Sequence, residues 1–308
     1  MELSYLQYFQ TVAHLEHISK AAEVLHITQP ALSRAISRIE QEVGAQLFIR
    51  EANRIHLSHA GRVMLFRVEQ MLSQYDDAMR EISDCTQEAS GPVMALSLSE
   101  ELFSDFGCQY MLTHPDIQLF HRIMENEEIV RTLERHGADF AITTEPNTGA
   151  NVIWQPLMKE EYVLVVSRDS RFAAADTIDL TDLAEEPFIF NQGGSIFDTY
   201  LRQCCLNAGF DPKIRFKGVD SDLPWELLRR NQGVMFLPAS TLYRKYYSNY
   251  HAQLDHVTTV KIGYPGLRRI IGIAWLRGGY INKSATAAMQ GVRDYYQNFQ
   301  GKPGIELM

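Results

Sequence analysis

The chain has 308 residues, of which 45% are hydrophobic and 22% are charged, and its formal net charge is −9. This composition is typical of a globular protein that is long enough for two or three compact units. No apolar run approaches the ~20 residues that a membrane span requires, and the N-terminus carries neither a basic region nor an apolar export signal. The cytoplasm is therefore the expected compartment, and no membrane partner is expected.

Cysteine and histidine spacing gives no support for a metal or redox site. Four cysteines do not make a disulfide framework in a chain of this size. Helical periodicity makes the adjacent Cys204 and Cys205 better candidates for partly buried apolar residues than for a redox pair. His14 and His17 lack the further ligands of a metal motif. We therefore expect no metal and no cofactor.

The first 27 residues predict two helices that lead into a tight turn. Ser4 with Gln7 is a candidate capping box for the first helix. Ser19 can cap a short second helix, because its hydroxyl can accept a backbone N–H at the helix start. His26 and Ile27 then form the turn.

A third helix follows this turn and has two different faces. Thr28 is its predicted cap, and Pro30 lies in the first turn, where a missing N–H is tolerated. Spacings of 4, 3 and 4 place the apolar side chains on one buried stripe: Leu32, Ile36, Ile39 and Val43. The opposite face is small, polar or cationic, and it carries Gln29, Pro30, Ser33, Arg34, Ser37 and Gln41. Such a face suits a DNA major groove, although an ordinary solvated helix surface is the alternative.

Two short β-like runs, 47–50 and 55–57, flank a turn and predict a wing. Arg50 and Arg54 would reach DNA phosphates from this wing, or they would be solvated surface arginines. Residues 1–62 hold six Lys or Arg and six Asp or Glu, so the negative charge of the whole chain lies elsewhere. Local clustering of cations, rather than net charge, governs attraction to phosphate.

Residues 58–88 predict one long helix with a heptad seam. The seam has steps of 4 and 3 and consists of Met64, Val68, Met71, Tyr75, Ala78 and Ile82. A helix of this length spans roughly 45 Å, more than a 60-residue domain covers. Its apolar side therefore predicts a partner helix from a second copy of the chain, and packing on the chain's own C-terminal part is the alternative.

Beyond Gly91 and Pro92, which mark a domain boundary, strands and helices alternate. The predicted strands are 93–98, 117–123, 138–143, 162–167, 187–190, 214–219, 233–237, 257–262 and 270–276. The predicted helices are 101–112, one from Asn126 to Gly137, 195–208, 225–230, one from Pro238, and 282–299. This alternation favours parallel sheets with crossover connections.

The N-terminal residues resemble the LysR-type transcriptional regulators. The resemblance is dense over about 60 residues and rests on Phe9, Ala21, Ala22, Leu25, Gln29 to Ser33, Ile36, Ile39, Glu40, Gly44, Leu47, Phe48, Arg50, Leu57, Ala60 and Gly61. His17 stands where the family usually has Ser, and the sequence offers no reason for it. Read with this family, the chain divides into a winged helix-turn-helix domain (1–58), a linker and dimerisation helix (59–90) and an effector domain (91–308).

The resemblance implies that the effector domain has two α/β lobes like those of a periplasmic binding protein. The first lobe would comprise about 92–161 and 268–300, and the second about 162–267. Small molecules bind beyond the carboxyl ends of strands in such folds. The polar residues at those ends are Ser97, Ser99, Glu100, Thr143, Thr144, Asn191, Gln192, Ser195 and Asp220. Loop polarity or helix capping is the alternative role for each of them.

The expected function is therefore DNA-binding transcriptional regulation controlled by a small-molecule effector. The expected partners are double-stranded DNA, an effector of unknown identity and further copies of the chain, as a dimer or tetramer, with RNA polymerase as a candidate. Glu100 and Glu101 suggest that the effector is not a simple mono-anion. The sequence contains no nucleophile elbow, phosphate-binding glycine loop or zinc-protease motif, so we expect no catalytic residues. The remaining alternative is a scaffold whose first helices bind a protein.

Overall fold

The structure is a computed structural model, and it describes residues 2–51, 54–86, 91–145, 151–190, 196–218, 222–244 and 255–308. The side chains of 50, 51, 54, 83, 84, 86, 196 and 197 lie outside this description. The chain divides into two compact units. The helical unit comprises 1–91, 131–137 and 276–283, and the α/β unit comprises 92–130, 138–275 and 284–308.

Four helices and a two-stranded wing make up most of the helical unit. The helices are α1 (Leu3–Leu15), α2 (Ile18–Val24), α3 (Gln29–Val43) and α4 (His59–Thr86), and the wing pairs β1 (Phe48–Glu51) with β2 (Arg54–Leu57). The two strands are antiparallel, with Phe48 opposite Leu57. Phe9, Leu32 and Ile36 lie in one buried apolar core. Val43 is 41% exposed, so the predicted buried stripe of α3 ends at Ile39.

The cap of α2 differs from the prediction. His17, not Ser19, is the N-cap, and its Nδ1 accepts the backbone N–H of Lys20 at 3.3 Å. Ser19 already lies inside the helix. The imidazole nitrogen therefore takes the part that a serine hydroxyl plays at such a position.

The starts of α1 and α3 also differ in detail from the prediction. α1 follows Glu2, whose extended backbone makes it the N-cap, so the predicted capping box of Ser4 and Gln7 lies inside the helix and is wrong. Thr28 is the N-cap of α3, as predicted, but its side chain makes no cap hydrogen bond.

The predicted heptad seam of α4 is divided between two environments. Val68 is fully buried in the core of the helical unit, and Met64 packs against that core. Both are therefore corrections to the predicted partner surface. From Met71 onward the seam is exposed, with Met71 at 45%, Tyr75 at 46% and Ile82 at 56%. We call the exposed residues Met71, Tyr75, Ala78, Met79 and Ile82 the α4 apolar stripe.

Strands and helices alternate through much of the α/β unit. The strands are β3 (Val93–Ser97), β4 (Leu119–Ile123), β5 (Phe140–Thr144), β6 (Val152–Ser167), β7 (Thr177–Ile178), β8 (Pro187–Phe190), β9 (Lys213–Lys217), β10 (Met235–Pro238), β11 (Val257–Ile262), β12 (Arg268–Leu276) and β13 (Ile305–Leu307). The helices are α5 (Glu100–Thr113), α6 (Asn126–Glu134), α7 (Ile196–Asn207), α8 (Leu223–Arg229) and α9 (Lys283–Gln297), of which α6 and α9 also include residues of the helical unit. Short 3-10 helices occupy Leu180–Leu183 and Ala239–Tyr243.

The sheet is mixed, which corrects the prediction of parallel sheets. The strand order is β4-β3-β5-β12-β6-β11-β7, with β10 and β13 also pairing with β6. β3 is parallel to β4 and β5, whereas β12 runs antiparallel to β5, and β10, β11 and β13 run antiparallel to β6. A separate pair, β8 and β9, is parallel. Two buried apolar clusters take all their residues from 162–267, the range predicted for the second lobe.

Candidate DNA-binding surface and effector site

The outward face of α3 carries the residues predicted to contact DNA. Gln29, Pro30 and Arg34 are exposed, while Ser33 and Ser37 are half-buried. Arg34 forms no ion pair, hydrogen bond or ring contact with any residue that the structure describes. Its guanidinium is therefore available to an external acceptor, and the short side chains beside it permit close approach.

Arg38, one turn further along α3, is held by the protein itself. Its Nη1 donates to the hydroxyl of Tyr5 at 3.3 Å, and its guanidinium carbon lies 5.5 Å from the centre of the same ring. Its Nε lies 3.5 Å from Oε1 of Glu42. Two arginines of one helix thus have different surroundings, and only Arg34 is without a partner in the described part of the chain.

The wing is described through its backbone. Arg50 lies in β1 opposite Ile55, and Arg54 lies in β2 opposite Glu51. Their side chains and the connecting residues 52 and 53 lie outside the described part of the structure. Nδ1 of His56 in β2 lies 2.8 Å from Oε2 of Glu16, at the end of α1. This contact joins the wing to the start of the helix-turn-helix.

Ser97 and Ser99, two predicted effector residues, lie at the carboxyl end of β3. Ser97 is fully buried, and its hydroxyl lies 2.8 Å from both the carbonyl oxygen of Ser99 and Nε2 of His121. The His121 ring stacks on Phe103 at 3.8 Å, and burial lowers the pKa of the imidazole. Ser97 therefore serves the internal structure, and His121 is a site residue that sequence reasoning missed.

Ser99 is the N-cap of α5 but makes no side-chain cap hydrogen bond. Its Oγ is buried and has no hydrogen-bond partner among the residues that the structure describes. The neighbouring Glu100 is exposed. An unused hydroxyl at the start of a helix, where backbone N–H groups point outward, is suited to a polar ligand.

Thr143 and Thr144, at the carboxyl end of β5, both contact Asn126. Thr143 is fully buried and donates to Oδ1 of Asn126, while Nδ2 of Asn126 donates to Oγ1 of Thr144 at 3.2 Å. Asn126 is the first residue of α6 and was predicted only as a helix cap. Its role as a tie between α6 and β5 depends on the fold and had no signal in the sequence.

Glu101 does not belong with Glu100 at an effector site. Glu101 is 4% exposed, and its Oε1 lies 2.6 Å from Nη1 of Arg269. Nε of Arg269 also lies 2.8 Å from Oε1 of Glu160, which is fully buried. Burial alone would lower the pKa of Arg269, but Tyr162, Glu101 and Glu160 raise it well above its ordinary value. Of the two carboxylates predicted to face an effector, only Glu100 remains exposed.

The second half of the predicted effector site cannot be compared with the fold. Asn191, Gln192, Ser195 and Asp220 lie outside the described residues.

The cysteines divide into two exposed and two buried residues. Cys85 and Cys108 are exposed, whereas Cys204 and Cys205 are buried. Burial raises the pKa of both buried thiols, that of Cys205 to about 12. At neutral pH the buried thiols are protonated and therefore poor nucleophiles. The described residues contain no group of three or more His, Cys, Asp or Glu placed to hold a metal ion.

None of the helices in the described part of the chain combines the length and the apolarity needed to cross a membrane.

Comparison with known proteins gives the same two-part division. Residues 3–62 match the model for a bacterial regulatory helix-turn-helix protein of the lysR family, and residues 97–297 match the LysR substrate binding domain. A relative in Bacillus subtilis, the uncharacterized HTH-type transcriptional regulator YybE, is 27% identical over 96% of this chain and 99% of its own length.

Solved structures share the fold over almost the whole chain. A full-length OxyR variant from Pseudomonas aeruginosa matches with a TM-score of 0.66 at 22% identity, covering 96% of this chain and 95% of its own. Full-length CbnR in complex with its target DNA matches with a TM-score of 0.51 at 18% identity, covering 96% of this chain and all of its own.

Fold and matches together define a winged helix-turn-helix protein with a C-terminal α/β effector-binding domain of two lobes, which confirms the predicted fold class. The chain belongs to the LysR family of transcriptional regulators. Its N-terminal domain is the DNA-binding part and its C-terminal domain the effector-binding part.

Proposed function

We propose that α3 is the helix by which this regulator reads its operator. Gln29, Pro30, Ser33, Arg34 and Ser37 would face the bases, and Arg50 and Arg54 would contact phosphates. The observation that carries the proposal is the two-faced burial of α3. Leu32, Ile36 and Ile39 fix the helix from within, while Arg34 is exposed and lacks a partner in the described chain. The DNA complex named for CbnR supports the same use of this fold.

The proposed operator contact requires two or more copies of the chain. The N-terminal 62 residues carry no net charge, so a single copy gains little from phosphate attraction. The α4 apolar stripe exposes about half of Met71, Tyr75 and Ile82, and pairing with a second copy would remove this surface from water. We propose that the stripe forms the dimer contact.

A second apolar surface on the α/β unit supports assembly beyond the dimer. β4 is an edge strand, and its Phe120 and Ile123 are 51% and 54% exposed. Leu112 on α5 is 68% exposed. A chain with two separate apolar surfaces can pair through each of them, and this arrangement suits a tetramer.

We propose that the effector binds at the start of α5. The unused hydroxyl of Ser99 and the helix N-terminus would bind a hydrogen-bond acceptor of the ligand, and the exposed Glu100 would favour a ligand that also carries a positive group. Ser97, Thr143 and Thr144 would support this site from within. Asn191, Gln192, Ser195 and Asp220 remain the sequence-based prediction for its other side. The lobe and domain boundaries predicted from the sequence are part of the same proposal.

Arg34→Ala tests the DNA-reading role, with Arg38→Ala as the matched control. A duplex selected from a random pool by the wild-type protein would serve as the operator, with binding measured by fluorescence anisotropy at fixed salt. Loss of a guanidinium that forks onto a base weakens binding by ~1–3 kcal/mol, or roughly 5- to 150-fold, and relaxes base preference. Arg38→Ala should have a smaller effect, because Tyr5 and Glu42 already hold that side chain. Equal losses for both variants on every sequence would contradict base reading by Arg34.

A further inference from the structure

One face of α4 carries a buried acidic surface. Glu69, Ser73 and Asp77 follow one another at intervals of four residues, and they are 6%, 6% and 8% exposed. Buried carboxylates are destabilising unless cations or hydrogen-bond donors compensate for lost water. The groups that compensate these two therefore determine what α4 can pack against.

The compensating groups come mainly from the segment 131–137, which belongs to the same helical unit. Nε of Arg135 lies 3.1 Å from Oε2 of Glu69, and Nε2 of His14 lies 3.2 Å from its Oε1. Nδ1 of His136 lies 2.6 Å from Oδ2 of Asp77. We call the Arg135–Glu69 and His136–Asp77 contacts the α4 latch.

The turn that carries the latch is constrained by its backbone. His136 has a φ of 54°, in the left-handed region that side chains other than glycine seldom adopt. The N–H of Gly137 donates to the carbonyl of Thr132 at 2.8 Å, and a Cβ at Gly137 would lie 2.9 Å from Cγ2 of Thr132. Arg135 and His136 are therefore fixed to the end of α6, and a displacement of α6 displaces both.

The other end of α6 lies at the proposed effector site. α6 has nine residues, or about 13 Å of helix. Its first residue, Asn126, is tied to Thr143 and Thr144. Ile129 and Leu133 are fully buried along its length. A short helix held by packed apolar side chains moves as a body rather than bending.

We propose that α6 relays the effector signal to α4 through the α4 latch. The inference rests on the proposed effector site, because a ligand that bonds to Thr143 or Thr144 would compete with Asn126 for the same hydroxyls. Loss of the Asn126 contacts lets α6 shift, and the shift separates Arg135 and His136 from Glu69 and Asp77. Since α4 is continuous with the DNA-binding domain, the state of the latch alters how α3 is presented to DNA. Coupling requires that the ligand bind the shifted arrangement more tightly.

A charge-swap cycle in the full-length protein tests the latch. Glu69→Lys and Arg135→Glu each place like charges together, whereas the double variant restores an opposite pair. Circular-permutation bend angles and DNase I footprints would be recorded without added ligand, on the duplex selected by the wild-type protein. Each single variant should change the bend or footprint while affinity stays within about threefold, and the double variant should restore the wild-type pattern. Unchanged single variants would overturn the proposal, and a change that the double variant fails to reverse would assign the effect to fold damage.

Hydrogen exchange tests the relay without DNA and without a known effector. Asn126→Ala should accelerate exchange in 131–137 and around Glu69 to Asp77 at least severalfold. The matched control is Asn207→Ala, which removes a comparable contact with Gln203, 3.0 Å away on α7. Equal exchange in 131–137 and on α4 in both variants would overturn the relay. If the wild-type protein selected no duplex, the DNA-reading proposal would fail, and this measurement would still decide the relay.

Discussion

His17 illustrates how one side chain acquires its role from its backbone setting. The sequence gave no reason for a histidine at a position where the resembling family usually has Ser. In the fold its Nδ1 accepts the N–H of Lys20 and caps α2. An imidazole nitrogen and a serine hydroxyl oxygen are both acceptors within reach of the same orphan donor.

The cap predicts a specific pattern of stabilities. His17→Ser should keep the free energy of unfolding near that of the wild type, because the hydroxyl supplies the same acceptor. His17→Ala should lower it by about 1 kcal/mol, the usual loss for a removed N-cap. Urea unfolding at neutral pH, followed by circular dichroism, measures both variants. If Ala and Ser behave alike, His17 does not stabilise α2 through its cap.

Neighbouring residues of like chemistry had different fates that the sequence did not distinguish. Arg34 and Arg38 lie on one helix, but only Arg38 meets Tyr5, which is 33 positions away along the chain. Glu100 is exposed and Glu101 is buried against Arg269, 168 positions away. Periodicity assigns a residue to a face of its helix, but it does not identify the distant side chain that will meet it.

At the scale of elements, α4 carries a prediction about assembly. Tyr75→Glu places a carboxylate in the α4 apolar stripe, where pairing would bury it without a partner, so the dissociation constant of the dimer should rise at least tenfold. Gln74→Glu adds the same charge at the adjacent exposed position outside the stripe, and it should leave the dimer intact. Sedimentation equilibrium over a range of concentrations distinguishes the two.

Matching circular dichroism spectra are required of both α4 variants, so that a loss of dimer is not a loss of helix. Identical mass distributions for Tyr75→Glu, Gln74→Glu and the wild type would mean that a surface other than the stripe joins the copies.

The order of helices and strands was largely predictable, whereas strand direction was not. Amphipathic periods locate α3 and α4 to within a residue or two. β12 and β5 are both apolar runs, and such a run does not record whether its neighbour is parallel or antiparallel. Only residues 162–167 of the 16-residue β6 were predicted, because Pro156 and charges at 159–161 interrupt its pattern. Pairing with β13 at 158–160 maintains the strand there.

For the molecule as a whole, long-range contacts determine what the sequence leaves open. The segments 131–137 and 276–283 belong to the helical unit although they lie far along the chain from the rest of it. The chain carries a net charge of −9, yet its first 62 residues are neutral, so DNA binding depends on the arrangement of cations on one face. Composition gives the total charge, and only the fold gives its distribution.

The buried cluster of Arg269, Glu101 and Glu160 joins distant parts of the α/β unit. Arg269 lies on β12, Glu101 in the first turn of α5 and Glu160 within β6. The other oxygen of Glu160 accepts the N–H of Ser240 at 2.8 Å. One guanidinium thus compensates two carboxylates that are 4% and 0% exposed. Removing it would leave both as unpaired buried charges, which are far more destabilising than the loss of an exposed pair.

Arg269→Ala should therefore lower the free energy of unfolding by about 3–5 kcal/mol. Arg202→Ala is the control, because Arg202 also contacts a carboxylate through two nitrogens, at 2.9 and 3.0 Å from Asp211, but both side chains are more than half exposed. Its unfolding curve should overlie that of the wild type, since water replaces the lost partner. Urea titrations of the full-length proteins would compare the two, and Arg269→Lys would supply a folded intermediate case if the alanine variant does not accumulate. Equal stabilities for Arg269→Ala and Arg202→Ala would mean that burial of this cluster contributes nothing to holding α5, β6 and β12 together.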